Sequence, residues 1–472
     1  MFLLIIAKSL ALLSISLLTI AVIIFKWKER QRKPAKVRGY VHPKFNKVLE
    51  IFSDNLMRGW ERDGAALCVY HKGECVVDVW GGLSDRDSQR EWSKETMQII
   101  FSSSKALGAV CVALLVDKGH LKYSDRISSF WPEFGKLGKK EITVEMVMTH
   151  TAGLAMIDKE ITWEDARDPH KMAQILENQS PRWIPGSRIG YHAVSYGWLV
   201  DQIIRRSDPL SRGSGQFWKE EIADKHGLDI HIGLPLELAW RVARITRPSL
   251  WNRVDEFITD PGNVDYPFLF KQFLTDGLSV KVASNPPWMQ TIFSVTVNNP
   301  EMYQLEQLAA LGIGTARDLA HFGKLLIEGK VIKNETLQLI SETVFHDRDI
   351  VSGARAKRGR GTTIVDYNSR DTKFSFSGHA GLGGQNIRWD MKNDLVVGYL
   401  SNGLKGGLGD RARSYVKVME TLLDCITQEE IHKTDYDGST SENNLRFRGT
   451  SADVTVPSTS QQLMSHLQRS TL

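Results

Sequence analysis

The sequence predicts an α+β domain, and three observations carry that reading. Two β-rich runs flank a glycine turn early in the chain, an apolar strand-like run comes near its end, and stretches with helical spacing fill the interval. Strands first and last with helices between imply one sheet built from both ends of the domain, with a helical region inserted.

The elements follow in order along 472 residues. Phe2 to Phe25 is apolar with one charge, Lys8, and is long enough to span a bilayer. We read residues 1–25 as an uncleaved transmembrane anchor. A cleaved signal peptide is the rival, but the charge lies after the apolar run and no small-residue cleavage site ends it. Between Lys26 and Arg38 stand seven basic residues and one acid, read as a basic linker over 26–40. By the positive-inside rule this run keeps the rest of the chain on the cytosolic side of a single-pass membrane protein. Glycans on the sequons at Asn178 or Asn334 would reverse that orientation.

Of the net charge of +5, the basic stretch contributes +6, so the remainder is close to neutral. A basic cluster beside an apolar segment fits a lipid surface; no nucleic-acid groove is expected. The four cysteines, Cys68, Cys75, Cys111 and Cys425, form neither a CxxC pair nor a zinc-like spacing, and read as buried thiols. A bridge between Cys68 and Cys75 across the turn stays open.

Residues 41–432 form the globular domain, and the Ser-, Thr-, Asn- and Asp-rich 433–472 reads as a disordered tail. Within the domain, Ala65–His71 and Glu74–Trp80 around Lys72-Gly73 predict a hairpin. Leu107, Val110, Cys111, Leu114 and Leu115 give an amphipathic helix from Ser102 to Lys118. Another helix over 142–148 ends in His150-Thr-Ala-Gly-Leu154. Thr315-Ala-Arg-Asp318 reads as a capping box opening a helix through Leu319, Phe322 and Leu325. Leu395 to Leu400 predicts a buried strand.

Ser102-Ser-Ser-Lys105 places a serine and a lysine one helical turn apart on one face. A serine hydroxyl needs an adjacent base to act as a nucleophile, and at a helix start its own N–H is free to hold an oxyanion. The bland reading is a helix N-cap with Lys105 in solvent. A second match, Ser414-Tyr-Val-Lys417, lacks the apolar lead-in and reads as accidental.

Two more runs, Gly190-Tyr191-His-Ala193 and Gly378-His379-Ala-Gly381-Leu382, follow Ser102-x-x-Lys105 in the order of the three motifs of serine β-lactamases and penicillin-binding proteins. The stretches Lys118–Asp125, Trp131-Pro-Glu-Phe134, His150–Leu154, Gly312–Thr315 and Ser401-Asn402 also resemble that superfamily. The likeness covers about Val41 to Thr427 and is nearest to the animal β-lactamase domain-containing proteins and the family VIII, β-lactamase-like esterases. It implies an antiparallel sheet flanked by helices and an acyl-enzyme on Ser102. Lys105 and Tyr191 would share the proton, Lys105 being the cation that lets the phenol act as a base. The N–H groups of Ser102 and Leu382 would form the oxyanion hole. Gly381 would let the strand approach substrate, and His379 would either bind substrate or hold the strand. His150 reads as structural.

Two departures shift the expected substrate. The second motif usually ends in Asn, which bonds a substrate amide; here it ends in Ala193. The third usually begins with Lys; here it is His379, a weaker, pH-dependent cation. Esters or small amides are therefore expected over β-lactams, with no metal and no cofactor. No HExxH or GxSxG run is present. The alternative is a catalytically silent, membrane-tethered interaction or filament-forming protein that keeps the fold.

Overall fold

The computed structural model describes residues 36–434 except 292, 293, 407 and 408, together with Ser14, Ser16, Thr19, Ile20, Val22 and Ile23, and gives side chains through 428. Apart from those six residues, the anchor expected over 1–25 lies outside the described residues, as do most of the basic linker and the tail beyond 434. Among the described residues no helix is long and apolar enough to cross a membrane.

The domain opens with β1 (Val37–Val41), which takes in the end of the stretch 26–40 read as linker. It forms because Val37 is buried and all five residues pair antiparallel with β3. Helix α1 (Asn46–Arg58) follows, then the hairpin of β2 (Gly64–His71) and β3 (Glu74–Asp85). The turn is as expected: Lys72 and Gly73 both take positive φ, 52° and 77°, the mirror-image turn whose twist suits a hairpin. All four cysteines are free.

After two short strands, β4 (Arg90–Glu91) and β5 (Gln98–Ile99), comes the helix α2 (Ser104–Asp117). It differs from the sequence expectation in two ways. It starts two residues later, behind a 3-10 turn over Phe101–Ser103. It is also not amphipathic: every residue from Ser104 to Leu115 is buried. A helix apolar all round sits at the centre of a core, and α2 does so against α3 (Ser195–Ser207) and the face of the sheet.

The inserted region contributes β6 (Ile230–Ile232) and helices α4 (Leu250–Thr259), α5 (Tyr266–Leu274) and α6 (Leu278–Ser284). Strand β7 (Gly312–Gly314) lies between β5 and β6 in a small three-stranded sheet. Helix α7 (Ala316–Ile327) is capped by Thr315, whose hydroxyl accepts from Asp318 N; α8 (Asn334–Ser341) follows.

The C-terminal strands are β8 (Phe345–Arg348), β9 (Arg355–Arg358), β10 (Thr363–Ser369), β11 (Thr372–Ala380), β12 (Asn386–Asp390) and β13 (Leu395–Ser401). The main sheet runs β1-β3-β2-β13-β12-β11-β10-β9-β8, antiparallel at every pair. Its two halves join where Leu395–Ser401 pairs with His71–Ala65. α2, α3 and α7 cover one face; α1 and the last helix, α9 (Arg413–Thr434), cover the other.

A buried ion pair locks the two chain ends together. Glu61 accepts from Tyr399 Oη on β13 and from Ser414 Oγ on α9, both at 2.5 Å, and meets Lys405 Nζ at 2.7 Å. Removing one partner leaves the other charge buried and uncompensated. Glu61→Ala should therefore lower stability by about 3–5 kcal/mol. The readout is a drop in the urea midpoint with unchanged slope; a loss within ~0.5 kcal/mol would show that the pair contributes nothing.

Candidate active site

The 3-10 turn before α2 sets the Ser102 position. Phe101, buried just ahead of it, takes a positive φ of 45°. The next residues carry three consecutive serines, and the structure sorts them by hydrogen bonding. Ser103 Oγ donates to the His379 carbonyl at 3.0 Å, tying the turn to β11. Ser104 Oγ donates to Phe101 O at 2.5 Å and accepts from Gly312 N at 2.9 Å. Both hydroxyls hold backbone together. Ser102 alone of the three is half-buried, and its side chain lies against the Tyr191 phenol.

Lys105 is fully buried one turn on. Its Nζ donates to the carbonyls of Ala193, at 2.8 Å, and Ala309, at 2.9 Å. It also lies 4.7 Å from the centre of the Tyr191 ring. Burial, reinforced by the charge of Arg358, pushes the amine well below its ordinary value. Burial thus favours the uncharged amine, the form whose lone pair can accept a proton.

Tyr191 stands at the head of a loop that follows Gly190. Its backbone N–H donates to Asp349 Oδ1 at 3.1 Å. Its ring meets His150 edge-on at 5.0 Å and stacks on His379 at 6.1 Å. Burial raises the phenol to about 12; the hydrogen bond with Ser102 and the charge of Arg358 offset part of that rise. A second cation therefore joins Lys105 at this ring: Arg358 lies 4.9 Å from its centre and eases ionisation of the phenol. Arg358 is fixed by a buried ion pair with Asp349 at 2.9 Å. Neither residue was expected from the sequence. Arg355-Ala-Lys-Arg358 looks like a solvated edge, and only the pairing of β9 with β8 and β10 carries Arg358 inward.

His379 is likewise not the weak cation expected. Burial first, then the neighbouring Lys105 and Arg358, hold its pKa well below the usual imidazole value. The 2.7 Å contact of Nδ1 with the Ala380 carbonyl places the proton there, so Nε2 is a bare acceptor, buried and without a hydrogen-bond partner. His150 is structural as expected. It sits at a φ of 63°, its carbonyl accepts from Gly190 N and its Nδ1 accepts from His192 N at 3.2 Å. His192 is held down to about 4, mainly by burial. Burial thus disfavours the charged form of all three imidazoles.

The third motif crosses in front of the Ser102 turn. Gly381 N–H donates to Gln385 O at 2.7 Å, so it is spent within the strand's own turn. A Cβ on Gly381 would stand 2.4 Å from the Ile100 carbonyl, so glycine is what lets the two segments touch. Leu382 opens a 3-10 turn, Leu382–Gly384, and Ser102 is the second residue of another. The first two N–H groups of a 3-10 helix have no acceptor within it. Among the described residues neither the Leu382 nor the Ser102 N–H has a hydrogen-bond acceptor, so both are left to donate to a bound group.

A serine beside a buried amine and a phenol, under an antiparallel sheet backed by an all-buried helix, defines the class of serine β-lactamases and penicillin-binding proteins. The comparisons agree. The beta-lactamase family model matches residues 52–418. The chain belongs to the beta-lactamase family. It is 33% identical over 219 residues to the esterase/beta-lactamase LipL of Mycobacterium tuberculosis, covering 45% of this chain and 49% of LipL. Among solved structures, a family VIII carboxylesterase superposes with a TM-score of 0.70 at 26% identity, over 83% of this chain and all of the other. A penicillin-binding protein homologue from Caulobacter crescentus gives 0.69 at 27%, over 82% and 99%. The chain spans about half the length of the curated esterases it matches, 49% of LipL and 48% of the esterase EstB of Burkholderia gladioli.

Removing the Arg358 charge tests the electrostatics directly. In Arg358→Met with Asp349→Asn, which leaves no unpaired buried charge, the Lys105 amine loses a neighbouring cation and its pKa should rise. Side-chain carbon NMR of Lys105 should show a titration midpoint moved to higher pH. A midpoint unchanged or lower would remove Arg358 from this account.

Proposed function

We propose that the protein is a serine hydrolase that cleaves esters or small amides through an acyl-enzyme on Ser102. The observation that carries this reading is the buried Lys105, one turn from Ser102 and 4.7 Å from the Tyr191 ring centre, with its amine bonded to two carbonyls and pushed down by burial. Lys105 takes the Ser102 proton, directly or through Tyr191, as Oγ bonds to the substrate carbonyl carbon. The carbonyl electrons move onto oxygen, which accepts from the N–H groups of Ser102 and Leu382. On collapse the leaving oxygen or nitrogen takes the Tyr191 proton, and the lysine ammonium restores it. A phenol near 12 keeps its proton at rest and so serves as the donor, not the resting base. Water repeats the sequence to release the acid.

The surroundings support esters over β-lactams. Tyr191 and Ala193 pack beside an apolar cluster of Ala155, Val282 and Val351, a wall suited to an apolar acyl group. His379 Nε2 offers an acceptor where a β-lactam carboxylate would meet a second negative dipole. The esterase EstB and the family VIII carboxylesterase among the similar proteins support the same direction. We further propose that residues 2–25 anchor the chain in a membrane and that the following basic run keeps the domain on the cytosolic side.

A fluorophosphonate probe should label Ser102, mapped by mass spectrometry, and leave Ser103, Ser104 and Ser414 unmodified; label retained in Ser102→Ala would overturn the assignment. Tyr191→Phe should lower kcat for p-nitrophenyl esters by about 10²-fold or more, the scale of one positioned proton donor, with KM little changed. A Tyr191→Phe enzyme with near wild-type kcat would end the proposed proton route. Ester hydrolysis should exceed nitrocefin hydrolysis in kcat/KM by at least about tenfold, or roughly 1.4 kcal/mol.

A further inference from the structure

Helices α4 and α5 are built inside out. Neither contains a buried residue. On α4 the polar side faces the protein. Glu256 accepts from Gly406 N at 2.6 Å and meets Arg62 Nη1 at 3.4 Å, and Asn252 and Asp255 line the same small cavity with Trp60. The apolar side faces outward: Leu250, Trp251, Val254, Phe257 and Ile258 recur at helical spacing, with Ile258 71% exposed. On α5, Phe270 and Phe273 are 65% and 70% exposed, and Leu274 lies beside them. Phe257 packs edge-on against Tyr266 at 5.2 Å, so the two stripes form one surface. The one cation on each helix, Arg253 and Lys271, is exposed too. A face of this size and composition does not stay in water on a protein without a partner.

We propose that the outer face of α4 and α5 rests on a lipid bilayer, at the depth of the headgroup–acyl boundary, with Arg253 and Lys271 against anionic headgroups. Three observations favour lipid over another occupant. The composition, Trp, Phe, Leu and Ile with flanking cations, is that of helices lying in a membrane interface. The chain enters the fold at the same end: Lys36, Val37 and Leu56 crowd around Gly81, and Gly59, Trp60 and Arg62, just beyond Leu56, line the cavity under α4. The entering segment is short. The eleven residues 26–36 join the apolar run to β1 and, fully extended, reach at most about 40 Å. A chain anchored by that run therefore holds this face within reach of the membrane.

The surface also adjoins the Ser102 cleft. Leu278 and Val282 of α6 pack with Ala155, Val351, Tyr191 and Ala193, and Ser279 Oγ donates to the Val351 carbonyl. Phe268 of α5 lies against Gly353 in the same loop. Resting on lipid, these helices form the wall between bilayer and cleft, so the substrate class is an ester with a long apolar chain drawn from the membrane. That last clause rests on the Ser102 reading; the docking surface does not.

The test uses the full chain in vesicles of phosphatidylcholine and phosphatidylserine. A polarity-sensitive dye is placed at Phe270→Cys, or for comparison at the exposed Leu339→Cys on α8, both with Cys75→Ser. Lipids carrying a nitroxide in the upper acyl chain should quench the dye at 270 several-fold more than at 339. Equal quenching, or a dye at 270 open to aqueous iodide, would overturn the proposal. So would a dye shielded only as protein concentration rises and indifferent to the lipid nitroxide, which is the signature of a second copy. In parallel, Trp251→Ser with Phe273→Ser should lower hydrolysis of a bilayer-borne long-chain ester at least several-fold while leaving a short soluble ester unchanged. An equal effect on both esters would overturn the substrate clause. Strong quenching at 270 in a protein that hydrolyses neither ester would uphold the surface and remove the Ser102 reading.

Discussion

The site depends on one constraint, a lysine amine buried without a carboxylate bonded to it. Such a group is costly to charge, and the fold holds it by giving it two carbonyls, Ala193 and Ala309, from segments more than a hundred residues apart. To deliver them, α2 must be buried on every side, the loop after Gly190 must pass close to it, and the segment before β7 must close from the other direction. The positive φ at Phe101 and the contact of Gly381 with Ile100 belong to the same demand, since both bring backbone close to the Ser102 turn.

Two cationic side chains lie against Tyr191: Arg358, fixed by Asp349, stands 4.9 Å from its ring centre and Lys105 4.7 Å. The Arg358 charge eases ionisation of the phenol and, with burial, pushes the Lys105 amine down. Burial first, then Lys105 and Arg358, hold the His379 imidazole below its ordinary value, which favours an acceptor at a position expected to be a cation.

The inserted helices join this chemistry to the surface. Their polar sides are spent on Gly406 and the Arg62 cavity, which leaves the apolar sides outward. Through Leu278 and Val282 that outer layer continues into the packing around Tyr191. The wall of the cleft and the exposed face are one structural unit.

Much of this was legible in the chain. The β-rich runs around Lys72-Gly73 and the apolar run Leu395–Leu400 determine the central strands, because residue composition and turn chemistry are local. The Thr315 cap and the Ser102-x-x-Lys105 spacing are local for the same reason, and three motifs in order identified the family. Tertiary structure alone decided the rest. β1 forms from a sequence that reads as linker because β3 supplies its hydrogen bonds. α2 is buried all round because helices and sheet enclose it, which no periodicity records. Arg358 reaches Tyr191 only through the register of β9 and β10, 167 positions further along the chain. The protonation of Lys105, Tyr191 and His379 follows from burial and from charges distant in sequence. A side chain's identity names what it can do, but the low dielectric and the neighbouring charges that set its proton affinity exist only once the chain has folded.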